Sequence, residues 1–157
     1  MLESARPATP EDLAQVGELS RKARSELGAG RGGAVFLARE ARGAPVDEDL
    51  AAALEDRAQC VLVGTIDGVV VGYATARTER LRDGSLLGVI GDLFVDEEGR
   101  GVGVGEALMD AILAWCSEHG CQGVDALALP GARATKNFFE GSGFTARLLV
   151  MHHRMES

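Results

Sequence analysis

Between residues 95 and 109 the chain reads VDEEGRGVGVGEALM, with four glycines, Gly99, Gly101, Gly103 and Gly105, set where a strand pattern ends and a helix pattern begins. Glycine inside a helix costs roughly 1 kcal/mol relative to alanine, so four together need a sharp turn or the close approach of another group. The run LGVIGDLFV ahead of them reads as a strand. After them Val104, Leu108, Ala111, Ile112 and Trp115 share one stripe of a helix over 104–118, with Gly120 as its stop. A helix N-terminus presents unpaired N–H donors and a partial positive charge, and glycines there remove the β-carbons that would hold an anion away. The junction therefore reads as an anion cradle, with a merely glycine-rich turn as the plainer alternative. The common nucleotide spacings do not apply: no GxxxxGK[ST] follows, and Val104 and Glu106 stand where the third glycine of GxGxxG would fall.

The rest of the chain alternates strand and helix patterns. A short strand near Ser4 to Arg6 precedes a helix over 9–27, with Thr9 as N-cap and Pro10 at its first position. GAGRGG at 28–33 reads as a flexible loop, and 47–57 as a second helix capped by Asp47. Two β-branched runs joined by Asp67-Gly68 form a hairpin, and Arg82-Asp83-Gly84 turns into the strand before the glycines. A further strand over 123–129, a short helix from Arg133 to Glu140 and a last strand, FTARLLVMHHRM, complete a mixed α+β pattern.

The 157 residues, 46% hydrophobic, suit one compact domain that buries perhaps ~70% of its unfolded surface. No run reaches the ~18 apolar residues of a membrane span, and MLESARPATPEDL carries charge where a signal peptide is apolar, so a cytoplasmic location is expected. Sixteen Lys and Arg against 24 Asp and Glu, a net charge of −8, argue against binding nucleic acid or anionic membranes and favour a cationic second substrate. Cys60, Cys116 and Cys121 are an odd count without metal-ligand spacing, so they are expected as reduced, buried thiols, and no metal site is expected.

Arg100-Gly101-Val102-Gly103-Val104-Gly105 matches the pattern R/Q-x-x-G-x-G/A, and RPATPEDL, IDGVVVGYA, DLFVDEEGRGVGVG and FFEGSGF follow one another in the order seen in the GNAT family of N-acetyltransferases. The chain resembles that family over almost its whole length. The resemblance implies a single N-acetyltransferase domain over 1–157: a twisted mixed sheet flanked by helices, whose fourth and fifth strands, 86–95 and 123–129, splay apart around acetyl-CoA. It implies that backbone N–H groups of Arg100, Gly101, Val102, Gly103, Val104 and Gly105 hold the pyrophosphate. Main-chain groups of Leu93, Phe94 and Val95 would pair with pantetheine, and an amide near Leu93, at a bulge, would face the thioester oxygen. The implied reaction is direct attack of a primary amine, of a small molecule or a protein, on the bound acetyl group; a homodimer is left open.

Asp92, on the fourth strand before the cofactor segment, is the candidate base, with a purely structural carboxylate as the alternative. The chain departs from the family at two places. Phe139 stands where a proton-donating tyrosine is usual, and Ala132 where an asparagine is common; Asn137 lies about 140° further round the helix. Tyr73, on the third strand, is expected to lie too far away for that job and to line the acceptor pocket instead, which leaves Ser142 or water as the proton donor. A non-catalytic acyl-CoA-binding or regulatory module is therefore the competing reading. Arg133 and Lys136 are candidates for phosphate contacts, Arg77, Glu79 and Arg80 for acceptor contacts, and at most one of His152 and His153 can face a pocket from a strand.

Overall fold

The computed structural model describes residues 2–156. Five strands lie in sequence order across one sheet: β1 (Glu3–Pro7), β2 (Gln59–Ile66), β3 (Val69–Arg80), β4 (Leu86–Val95) and β5 (Cys121–Asp125). The first four run antiparallel to their neighbours and β5 runs parallel to β4, as a strand reached through a helical crossover must. The β2–β3 hairpin turns at Asp67 and Gly68, whose φ angles of 48° and 85° are those of the tight turn the Asp-Gly pair predicts.

Helices cover both faces. Alternation along the central strands sends Leu62, Ala74, Ala76 and Ile90 to one side, where they pack with Leu108, Met109, Ile112 and Cys116 of α4 (Val104–Glu118). Val61, Val63 and Tyr73 point the other way, onto Val16 and Leu19 of α1 (Leu13–Ala29) and Leu50 and Ala53 of α3 (Val46–Glu55). Trp115 sits at the margin of the α4 core and stacks on His119, their ring centroids 4.1 Å apart.

Several boundaries differ from the sequence reading. Thr9 caps a 3-10 turn, Pro10–Asp12, that leads into α1, and α3 starts at Val46 behind Pro45, which leaves Asp47 inside its first turn. A further helix, α2 (Gly33–Arg39), follows the glycine loop, and the short helix α5 spans Arg133–Gly141. The fifth strand occupies 121–125 rather than 123–129: β4 and β5 diverge past Val89 and Asp125, so Ala126 to Leu129 have no strand to pair with. FTARLLVMHHRM is not a strand either. Among the described residues the last backbone hydrogen bond runs from Phe144 N–H to the Phe139 carbonyl (3.0 Å), and residues 145–156 meet no sheet edge. His152 and His153 are consequently both exposed, and neither faces a pocket.

Candidate active site

The cleft follows from the divergence of β4 and β5. Only Leu86 to Val89 of β4 pair with β5, whereas on the other edge β4 stays paired with β3 up to Val95. Residues 90–95 therefore keep one edge free, facing a cavity of about 510 Å³. Ile90, Leu93 and Phe94 form one wall; Leu127, Leu129 and Pro130 form the opposite wall; Ala132, Thr135 and Phe139 of the α5 region close one end. Ser20, Arg24, Tyr73 and Arg42 line the side toward α1 and α2. Gly32 comes so near Leu129 across the mouth that a β-carbon there would lie 3.7 Å from its side chain.

Gly99, Gly101, Gly103 and Gly105 serve different ends. Gly101 and Gly103 have φ of 79° and 91°, a backbone region that strains other residues, and Gly103 is the N-cap of α4. Gly99 and Gly105 are there for packing: a β-carbon would lie 2.6 Å from Val71 at the first and 3.3 Å from the Phe138 ring at the second. Among the described residues the N–H groups of Gly101 to Glu106 have no hydrogen-bond acceptor, whereas Arg100 N–H already donates to the Glu97 carbonyl (3.3 Å). The Arg100 side chain is tethered as well. Its Nε donates to the Val95 carbonyl (2.8 Å), its guanidinium lies 5.6 Å from the centre of the Phe94 ring, and it pairs with Glu26 at 3.3 Å.

Asp92 lies beyond a bulge. Thr75 pairs with Asp92 but Ala76 with Ile90, so Gly91 is the extra residue, one position before Asp92 rather than at Leu93. The carboxylate accepts three hydrogen bonds: from Thr75 Oγ1 (2.6 Å) and Arg42 Nε (3.0 Å) on Oδ2, and from Tyr73 O–H (3.0 Å) on Oδ1. Arg42 comes from the segment between α2 and α3, and its Nη1 also binds Asp49 (2.7 Å), while Arg24 holds the Arg42 carbonyl (2.7 Å). The pair is largely shielded, with side-chain exposures of 11% for Arg42 and 15% for Asp92. Burial works against the Arg42 charge, but the carboxylates of Asp92 and Asp49 outweigh it and hold the guanidinium above its ordinary range. Burial, then the charge of Asp92, holds the Tyr73 phenol well above its usual range, so it is a fixed O–H donor.

Of the residues singled out in the sequence, Asp92, Leu93, Phe94, Tyr73 and Phe139 line one cavity. Phe139 is buried between Phe138 and Phe144, with ring centroids 5.9 Å and 5.4 Å away. Ser142 Oγ is spent on the Phe138 carbonyl (3.0 Å), and Lys136 lies 3.9 Å from Glu140. Arg77 pairs with Glu79 and borders a smaller pocket on the far side of Arg42, and Arg80 binds the Gly84 carbonyl. Sequence reasoning missed Arg42, Thr75 and Arg24. Thr75 was recoverable, since it shares the strand face of Tyr73; Arg42 sits in an irregular segment and carries no periodic signal. No group of three or more His, Cys, Asp or Glu among the described residues is arranged to hold a metal ion. No helix among them is long and apolar enough to cross a membrane.

Residues 33–144 match the model of the acetyltransferase (GNAT) family, well over half of the chain. The chain belongs to the GNAT acetyltransferase family. This membership places it among the N-acetyltransferases, and solved structures agree on the fold. AAC(6')-Iy in complex with the bisubstrate analog CoA-S-monomethyl-acetylneamine is similar over 100% of both chains, at 21% identity and a TM-score of 0.75. The tetramutant of the BH1408 protein from Bacillus halodurans superposes with a TM-score of 0.81 at 22% identity, over 99% of this chain and 100% of that one. Ribosomal-protein-alanine N-acetyltransferase from Brucella melitensis biovar Abortus 2308 gives 0.71 at 18% identity, over 99% and 100%. No curated protein matches the chain in sequence.

Proposed function

We propose that the whole chain acts as one acetyl-CoA-dependent domain that transfers an acetyl group to a primary amine. The opening between β4 and β5 carries this reading, because a free strand edge there faces a cavity, and the turn that leads to the unpaired amides of α4 adjoins its wall through Arg100, 5.6 Å from the centre of the Phe94 ring. Amides from Gly101 to Gly105 receive the pyrophosphate; Arg100 contributes chiefly by shaping the turn, since its own N–H is already committed. Main-chain groups of Leu93 and Phe94 along the free edge pair with pantetheine, which delivers the thioester beside Asp92 and Phe139. The neighbour AAC(6')-Iy, solved with a CoA bisubstrate analog, supports a CoA-type cofactor for a chain of this fold.

The amine enters from the side lined by Arg24, Tyr73 and Arg42. Asp92 Oδ1, with a single protein donor, keeps a lone pair for the incoming ammonium and takes its proton directly or through water. Tyr73, Thr75 and Arg42 hold the carboxylate in place. The neutral amine then attacks the thioester carbonyl and the C–N bond forms; the nitrogen, now positively charged, loses its second proton to solvent, the C–S bond breaks, and the sulfur leaves as thiolate and takes a proton from solvent, since Phe139 has none to give. Positioning supplies most of the rate.

A panel of amines mixed with acetyl-CoA, with release of free thiol measured, tests the proposal. Thiol release that depends on both the amine and the enzyme is the expected result. Silence across the panel, with tight CoA binding by calorimetry, would favour the binding-module reading that Phe139 motivates. Weak CoA binding would overturn both.

A further inference from the structure

The chain carries a net charge of −8, yet the cavity beside Asp92 is not acidic. Five charged side chains line it: Arg24, Glu26, Arg31, Arg42 and Asp92. Three of them are committed, since Arg42 pairs with Asp92 and Glu26 with Arg100. Among the described residues Arg24 and Arg31 form no ion pair. Two positive charges are therefore left over in the cavity of a chain with carboxylates to spare. The acidity read from composition lies elsewhere and does not select the acceptor.

Position separates Arg24 from the phosphates of the cofactor. Ser20, Arg24 and Leu27 are spaced four and three apart along α1 and share the stripe that faces the cavity. Glu26, which ties α1 to the turn before α4 through Arg100, lies about 200° round the helix from Arg24. Arg24 instead reaches Arg42: its Nη1 donates to the Arg42 carbonyl, and Arg42 Nε binds Asp92. That bond uses a single N–H, so half-buried Arg24 keeps the rest of its guanidinium fork one residue away from the candidate base. Arg31 stands in the loop between α1 and α2, flanked by Gly30 and Gly32, which approach Leu129 across the mouth.

We propose that the acceptor is a primary amine that also carries a carboxylate, an amino acid rather than a polycation, with its ammonium at Asp92 Oδ1 and its carboxylate on Arg24. This rests on the acetyl-transfer reading above and adds the class of amine. Asp92 is neutralised by Arg42, so it offers a lone pair but little net attraction for a multiply charged cation. Arg24 offers an unneutralised charge in a half-buried site, where a charge-assisted pair is stronger than in open water. A polyamine would bring further positive charges against Arg24 and Arg31. One half-buried guanidinium suits the single charge of a carboxylate, and Leu27, Phe36, Leu127 and Leu129 give the body of the acceptor an apolar bed.

The test pairs amines that differ by one charge. L-leucine, L-phenylalanine and 5-aminopentanoate are each compared with their own carboxamide, and spermidine serves as the polycation. Calorimetry on the protein saturated with CoA reads binding without turnover, and thiol release from acetyl-CoA reads transfer. At least one acid should bind roughly tenfold or more tighter than its amide, as a charge-assisted pair implies, and more tightly than spermidine. Arg24→Gln should bring the acid-to-amide ratio close to unity, Arg24→Lys should restore part of it, and exposed Arg31→Gln should lower it less. The ratio is the readout, because a loosened Arg42 segment would weaken acid and amide alike. Acids that bind no tighter than their amides, or a ratio that Arg24→Gln leaves unchanged, would overturn the proposal. So would an Arg24→Gln protein that loses CoA affinity and keeps the ratio, since Arg24 would then serve the cofactor. Selective binding of an acid with no thiol release from any amine would uphold the carboxylate site and overturn acetyl transfer. Thiol release from amides or spermidine as fast as from acids would uphold transfer and overturn the site.

Discussion

Asp92 accepts three hydrogen bonds, one of them from a shielded guanidinium, and that arrangement decides what its removal does. Asp92→Asn keeps the shape but takes away the proton acceptor, and Arg42 retains Asp49 as a partner, so the fold should survive. Turnover should drop by ~10²–10⁴, the usual contribution of a positioned base, while acetyl-CoA affinity by calorimetry stays close to wild type. An unchanged rate would remove Asp92 from the chemistry and leave it a structural carboxylate. Phe139 raises the complementary question of how the thiolate gets its proton. Phe139→Tyr adds a hydroxyl to a side chain that already lines the cavity, and if departure of the thiolate limits the rate, turnover should rise by up to ~10²-fold. A variant that folds and binds CoA normally with no gain, and no solvent isotope effect, would show that another step is limiting.

At the scale of elements, the N-terminus of α4 depends on the left-handed Gly103, where another residue stores ~1–3 kcal/mol of strain. Gly103→Val should weaken acetyl-CoA binding by roughly tenfold or more, about 1.4 kcal/mol, and Arg100→Ala should be milder. Gly105→Val acts elsewhere: its side chain would press on Phe138 and displace α5, so it should lower the melting temperature more than the affinity per bound complex. Wild-type affinity in a well-folded Gly103→Val protein would dispose of the amide cradle. The join between β1 and α1 depends on Asp12, which accepts from both Nη atoms of Arg6 (2.8 and 3.0 Å) and from Thr9 N–H (2.8 Å). The Arg6 bonds come first among the causes that hold its carboxyl at about 2, below the ordinary 3.8. A carboxyl whose folded pKa is depressed stabilises above its unfolded value. This contribution is complete above about pH 4 and lost as pH falls toward 2. It amounts to at most about 2 kcal/mol, reduced by screening of the half-exposed Arg6. Asp12→Asn should therefore lower stability at neutral pH and flatten the acid limb of melting temperature against pH; an acid limb as steep as wild type's would assign it to other carboxylates.

For the molecule as a whole, the buried thiols report on opening. Burial pushes Cys60 to about 11 and Cys116 to about 12, and both side chains are inside the α4 core, so at pH 8 neither should be alkylated except through unfolding. Cys121, half-buried, should react first. Acetyl-CoA at 100 times its dissociation constant should slow labelling of Cys60 and Cys116 by ~100-fold, as linkage requires of a ligand that binds only the folded state. Labelling insensitive to acetyl-CoA would instead place the opening locally, around α4 and β5.

Local chemistry made much of this molecule legible in its sequence. The Asp67-Gly68 hairpin, the period of α4, the Pro10 start and the order of strands follow from backbone sterics and side-chain period, which neighbours in sequence decide. The positive φ of Gly101 and Gly103 follows in the same way, as does the presence of Asp92 on the fourth strand. Other features depend on what is near in space but far in the chain. Gly99 and Gly105 were legible as glycines but not as contacts with Val71 and Phe138. Arg42 reaches Asp92 across fifty positions from an irregular segment, and no periodicity marks a residue whose only role is to meet another. The strands expected at 126–129 and 144–155 do not form, because a strand exists only where an edge in register accepts its hydrogen bonds. For the first, divergence of β4 and β5 withdrew that edge and opened the cavity in its place; for the second, the chain reaches no edge of its own.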